Sequence, residues 1–246
     1  MKAMKNAARL NSRGNLILSS LSLADYELLE PYLETVQFRT RDCLEQTNKK
    51  VERIYFPYRG LISVIAVSQN KRHESEAGII GWEGMTGASV VLRSEPALTN
   101  IFVQIPGDGR AVLAGDLSML MAKSSTLRDA FLKHIYVFLI QAANTALANA
   151  RGRLDQRLAR WLLMADDRVP GDGLQLTHEF LAFMLGVRRA GVTIALQHLE
   201  SQGLIANSRG HIRLIDRSGL EQCCDGLYGV AERELSRLFA PRYGGE

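Results

Sequence analysis

Cysteine is scarce in this 246-residue sequence, and its scarcity excludes several chemistries at once. The three thiols, Cys43, Cys223 and Cys224, have neither metal-ligand spacing nor an even disulfide framework, and are expected to stay reduced. An iron–sulfur cluster needs about four thiolates, and only Cys43 lies in the N-terminal half. Long apolar runs are missing too: none approaches the roughly 18 residues of a membrane span. Met1 to Arg9 is basic, but no apolar stretch of signal-peptide length follows it, so a cytoplasmic protein without a membrane partner is expected.

Catalytic motifs are equally absent, with no Gly-x-Ser-x-Gly, His-Glu-x-x-His or P-loop pattern. His73-Glu74-Ser75-Glu76 comes nearest to a cupin-type metal set, yet beside the polar Gln69-to-Arg72 turn it reads as a solvated loop. The expectation is therefore no enzyme, no metal and no cofactor. A cupin-like β-barrel enzyme and a small-ligand-binding protein are the alternative readings. Lysine disappears after Lys133, and residues 153–246 carry 12 Arg against 12 Asp and Glu. That half is neutral although the chain is +4, so any anion it binds must be met by a few placed arginines.

What is present falls into three stretches. From Val36 to Leu113 short apolar runs alternate with turn signals: Val51 to Phe56, Gly60 to Val67, Glu76 to Gly81 and Ile101 to Ile105, with Pro106-Gly107-Asp108-Gly109 read as a turn. Strands at roughly ten-residue spacing predict a barrel or sandwich. Leu21 to Tyr32 reads as a helix before them. Thr126 to Asn149 is a long helix without Pro or Gly, apolar on two adjoining stripes. Leu132, Ile135, Leu139, Ala142 and Ala146 form one; Leu127, Phe131, Phe138 and Thr145 form the other, heptad-like enough for a subunit contact. Leu127, Phe131, Ile135, Phe138 and Ala142 are the expected homodimer residues.

The third stretch meets the constraints of a helix-turn-helix. Counted from His178, Leu181, Leu185, Val187, Val192 and Ala195 are apolar or small where two crossing helices touch, as is Ala182. Gly186 falls at the sharp turn, where a left-handed backbone is needed. Thr177 is a good N-cap. The second helix, Arg188 to Ser201, carries Arg188, Arg189, Thr193 and Gln197 on its outward side. Two strands around Ser208-Arg209-Gly210, then His211, read as a wing. The candidate DNA contacts are thus Thr177, His178, Arg188, Arg189, Thr193, Gln197, Ser208, Arg209 and His211. Gly191, inside the second helix, costs about 1 kcal/mol of helix propensity.

Leu174-Gln175-Leu176-Thr177, Gly186-Val187-Arg188-Arg189 and Leu199-Glu200-Ser201-Gln202-Gly203-Leu204-Ile205, behind a barrel and a long helix, resemble the Crp/Fnr superfamily of bacterial regulators. The resemblance implies an α+β protein with a β-roll sensor of the cyclic-nucleotide-binding kind (1–125), a dimerisation helix (126–152) and a winged helix-turn-helix with a helical tail (153–246). It also implies a homodimer on a palindromic operator, with double-stranded DNA and RNA polymerase as partners. Cyclic-AMP-responsive members read bases with Arg, an adjacent Glu and a further Arg; here Arg189 is followed by Ala190, and Ile194 replaces the last. Ala97-Leu98-Thr99 stands where the arginine for a cyclic phosphate is expected. The effector is therefore expected to be something other than cyclic AMP, in a pocket of Trp82, Glu83, Gly84, Met85 and Arg93.

Overall fold

The computed structural model describes residues 14–169, 171 and 173–239. Asn15 caps the first helix, α1 (Leu16–Ser20), and Ser22 caps the second, α2 (Leu23–Leu29), which ends in a 3-10 turn at Pro31. Seven strands follow: β1 (Glu34–Phe38), β2 (Cys43–Glu45), β3 (Arg53–Pro57), β4 (Leu61–Val67), β5 (Glu74–Ile80), β6 (Thr99–Ile105) and β7 (Gly107–Leu113), with α3 (Ala88–Val91) between β5 and β6. They form two antiparallel sheets, ordered β1-β7-β3 and β2-β6-β4-β5. Gly107 and Gly109, expected in a turn, belong to β7. A Cβ on Gly107 would lie 2.1 Å from the Arg59 carbonyl and one on Gly109 2.3 Å from that of Phe56. These glycines mark close backbone approach rather than a reversal.

Helix α4 (Ala114–Lys123) leads into the long helix α5 (Ser125–Arg151), which Ser124 caps. Leu127 and Phe131 of α5 pack with Phe56, Ile54, Leu117 and Leu120 in the core of the roll. Further along, α5 lies against β5, where Gly78 leaves room for it: a Cβ there would fall 2.6 Å from Gln141 Oε1. Gln141 accepts from the Ile79 amide (2.7 Å) and donates to its carbonyl (3.2 Å), fixing helix to strand.

After Gly152 the chain forms α6 (Leu154–Arg168), β8 (Leu174–Gln175), α7 (His178–Leu185), α8 (Arg189–Ser201), the hairpin β9 (Ile205–Ser208) and β10 (His211–Leu214), and α9 (Arg217–Cys223). Strands β8-β10-β9 make a third small sheet. Leu158, Leu162, Leu181, Leu185, Val192, Leu196, Leu199, Ile212 and Leu220 fill this unit's core, which runs on into Leu61, Ile65 and Ile79 of the roll. The last helix, α10 (Val230–Phe239), departs from the expected division. Its Leu235 and Phe239 pack in the core of the roll with Leu127 and Phe131, not in the winged unit. Among the described residues no helix is long and apolar enough to cross a membrane.

Candidate nucleic-acid interface

Helices α7 and α8 form the helix-turn-helix at the positions read from sequence. Thr177 Oγ1 accepts from the Phe180 amide at 3.2 Å, satisfying a donor that the first turn of α7 leaves open. Gly186 ends α7 at φ +62°. Val192, Ala195, Leu196 and Leu199 turn inward from α8, leaving Arg188, Arg189, Ala190, Ile194 and Gln197 on its exposed side. Gly191 has its own reason: a Cβ would stand 3.1 Å from Leu154 Cδ2, so α6 and α8 cross closely there.

Arg188 and Arg189, at the helix start, are exposed, and their guanidiniums have no hydrogen bond or ion pair among the described residues. The same holds for Arg209 at the wing tip, which sits at φ +49° beside Gly210 at +79°, the tight hairpin geometry that a two-residue loop favours. Free guanidiniums on a convex edge are what phosphate and guanine contacts require.

Two expected contacts do different work. His178 Nδ1 lies 2.9 Å from Thr193 Oγ1, which is 3.2 Å from the Arg189 carbonyl, and Asn207 Nδ2 is 3.4 Å from His178 Nε2. The donors and acceptors close if Asn207 donates to Nε2, Nδ1–H to Thr193, and Thr193 to the carbonyl. His178 and Thr193 thereby tie α7, α8 and the wing together, and their polar atoms are already engaged. His211 pairs with Ser208 across the two-residue wing turn, but its ring packs over Gly173, whose Cβ would meet its Nε2 at 2.7 Å.

The expected effector pocket is corrected more heavily. A cavity of about 160 Å³ does lie in the roll, lined by Glu45, Val64, Ile80, Met85, Thr86, Ala97, Ile101, His134, Ile135 and Phe138 among others. Of the expected residues only Met85 lines it. Trp82 Nε1 donates to the Asp167 carbonyl (2.9 Å), and Glu83 pairs with Arg168 at 2.6 Å, both side chains 6% exposed. Gly84 accepts from Asn15, and Arg93 is exposed at φ +54° after α3. The chain Trp82-Glu83-Gly84 faces α6 and α1 because its polar atoms find partners there.

Of the expected dimer residues, four are engaged within their own subunit, and Ala142 is half-buried. Leu127 and Phe131 are wholly buried in their own roll, and Ile135 and Phe138 line the cavity. The apolar residues that α5 leaves exposed are Leu132, Tyr136, Leu139 and Leu147, at 36%, 50%, 63% and 50%.

Glu76 is no part of a solvated loop. It is buried, accepting from Ser63 Oγ (2.8 Å) and Trp161 Nε1 (2.6 Å). Burial pushes its carboxyl up to about 7, against those hydrogen bonds and the nearby Arg160 and Arg168. Gln104 and Met184 complete the cluster, with Gln104 Nε2 2.9 Å from Met184 Sδ. Roll, α6 and α7 therefore share one polar contact that sequence patterning missed. Its only signal was an apolar strand interrupted by an acid. Among the described residues no group of three or more His, Cys, Asp or Glu is placed to hold a metal.

Residues 156–223 match the family model of the Crp-like helix-turn-helix domain. No curated protein matches the chain. Among solved structures, one assigned to the Crp/Fnr transcriptional regulators, from Eubacterium rectale, is 22% identical over 84% of this chain and 96% of its own, with a TM-score of 0.65. FixK2 from Bradyrhizobium japonicum is 17% identical over 78% and 96%, with a TM-score of 0.67. The c-di-GMP-responsive global regulator CLP from Xanthomonas campestris is 17% identical over 78% and 99%, with a TM-score of 0.63. The chain thus carries a Crp-like helix-turn-helix domain, the DNA-binding module of transcriptional regulators, on the fold of the Crp/Fnr family.

Proposed function

We propose that the protein regulates transcription as a homodimer, laying α8 of each subunit in a major groove of a palindromic operator and acting there on RNA polymerase. The observation that carries this reading is the exposed start of α8, where Arg188 and Arg189 are unpaired and a wing with Arg209 stands beside them. The solvent-facing Leu132, Tyr136, Leu139 and Leu147 on α5 support a symmetric helix–helix contact. The effector is a small uncharged molecule held in the roll cavity. Its walls are largely apolar and carry no Lys or Arg, and they include the Glu45 carboxylate, which repels a cyclic phosphate.

Fluorescence anisotropy on genomic DNA fragments tests the reading. Saturable, sequence-selective binding at moderate salt is expected, and Arg189→Ala should weaken specific binding by about 1–3 kcal/mol while sparing non-specific binding. Equal loss of both would make Arg189 a phosphate contact. No selective binding, with or without added small molecules, would overturn the regulator.

A further inference from the structure

On the reading side of α8, the two residues that depart from the Arg-Glu-Arg reading set, Ala190 and Ile194, lie one helical turn apart. Ile194 is 67% exposed, the most exposed large apolar side chain after Leu98 among the described residues. An exposed isoleucine on an ordinary surface needs no explanation. This one sits in the middle of the solvent-facing strip Ala190, Ile194 and Gln197, directly after the unpaired guanidiniums of Arg188 and Arg189. No carboxylate interrupts the strip. Glu200, at its far end, is bonded to the Asn207 amide at 2.9 Å, so it braces the wing. The strip is therefore cation-led, uncharged and apolar at its centre.

The major-groove edge of a base pair offers hydrogen-bond donors and acceptors and a single apolar group, the 5-methyl of thymine. An isoleucine pressed against guanine N7 and O6 or the cytosine amino group would strip water from them and return no hydrogen bond. Against thymine it buries a methyl instead. We propose that Ile194, backed by Ala190, reads the 5-methyl group of a thymine, making thymine at one position of each half-site a determinant of binding. The inference rests on the DNA-binding reading above, and it says which chemistry stands where the carboxylate and second arginine are lost.

The test replaces the methyl, not the hydrogen bonds. Duplexes selected from a random-sequence pool by the full chain are remade with each thymine in turn replaced by deoxyuridine, and binding is measured by anisotropy. At one thymine per half-site the loss of the methyl should weaken wild-type binding about fourfold, the worth of one buried methyl. Ile194→Ala should bind the thymine and deoxyuridine duplexes alike, close to wild type on deoxyuridine, with a nearly unchanged melting temperature because the side chain is largely exposed. A penalty that persists in Ile194→Ala assigns the methyl to another side chain and overturns the proposal. So does the absence of any penalised thymine, which would leave Ile194 to a protein partner. A chain that selects no duplex fails at the DNA-binding reading itself, an outcome distinct from these two.

Discussion

Glu76 and His134 are buried, titratable and opposed. Desolvation raises the Glu76 carboxyl from 4.5 to about 7 and lowers the His134 imidazole from 6.5 to about 4, the latter despite a backbone hydrogen bond to Met85. For Glu76 the folded state holds the proton more tightly, so its contribution is present below pH 4.5 and lost as pH rises through about 7. For His134 the contribution is present above 6.5 and lost as pH falls through about 4. Between 4.5 and 6.5 the two slopes offset each other, and above 6.5 Glu76 alone remains. Melting temperature should therefore fall slightly as pH rises from 6.5 through about 7 and then level off. Glu76→Gln, which keeps an acceptor for Trp161, should abolish that fall and recover up to roughly 3 kcal/mol at the alkaline end. A wild-type melting temperature that rises over this window would refute the assignment. The Glu83–Arg168 pair is a different case. Both partners are charged and buried together, so Glu83→Ala strands a guanidinium and should cost about 3–5 kcal/mol, read by urea unfolding.

At the scale of elements, the helix-turn-helix was the most legible feature because its constraints are local. Thr177, Ala182, Gly186 and Val192 act within one short segment, and each is dictated by the contact it makes there. Gly186 gives a direct measure: its left-handed φ of +62° has open space around it, so only backbone conformation is at stake. Gly186→Ala should destabilise the chain by about 1 kcal/mol in urea unfolding, and Gly186→Asn by less, since asparagine tolerates that region. Equal losses would mean that the turn is held by something other than its conformation. The long helix was legible in extent but not in orientation. Periodicity finds two apolar stripes on α5, and nothing local says which meets the roll. That choice is made at Gly78, whose missing Cβ admits Gln141, bonded to the neighbouring Ile79 from 62 residues away. Glu76 was misread for the same reason, its partner Trp161 lying 85 residues on. Contacts between distant segments are invisible to a pattern that sees only neighbours along the chain.

At the scale of the molecule, the winged unit does not swing free of the roll. Its core continues into Leu61, Ile65 and Ile79, and the segment Gly81 to Gly87 ties the two together. Trp82 and Glu83 hold α6, while Met85, Thr86 and Gly87 form cavity wall. A molecule entering the cavity would thus push on the same short segment that anchors α6. What remains uncovered is the other face of α5. Leu132, Tyr136, Leu139, Ala143 and Leu147 recur at intervals of three and four and are all exposed, whereas Phe138 already lines the cavity. Burying such a stripe against a second helix is favourable, and in the proposed homodimer the cover is a copy of the same helix related by a two-fold axis. Leu139→Glu places two carboxylates face to face across that axis. On the proposed homodimer, sedimentation should show a dimeric wild type and a monomeric variant, with a melting temperature lowered only by the lost association and weakened binding to a two-half-site duplex. A Leu139→Glu protein that still sediments as a dimer would move the subunit contact off α5 altogether.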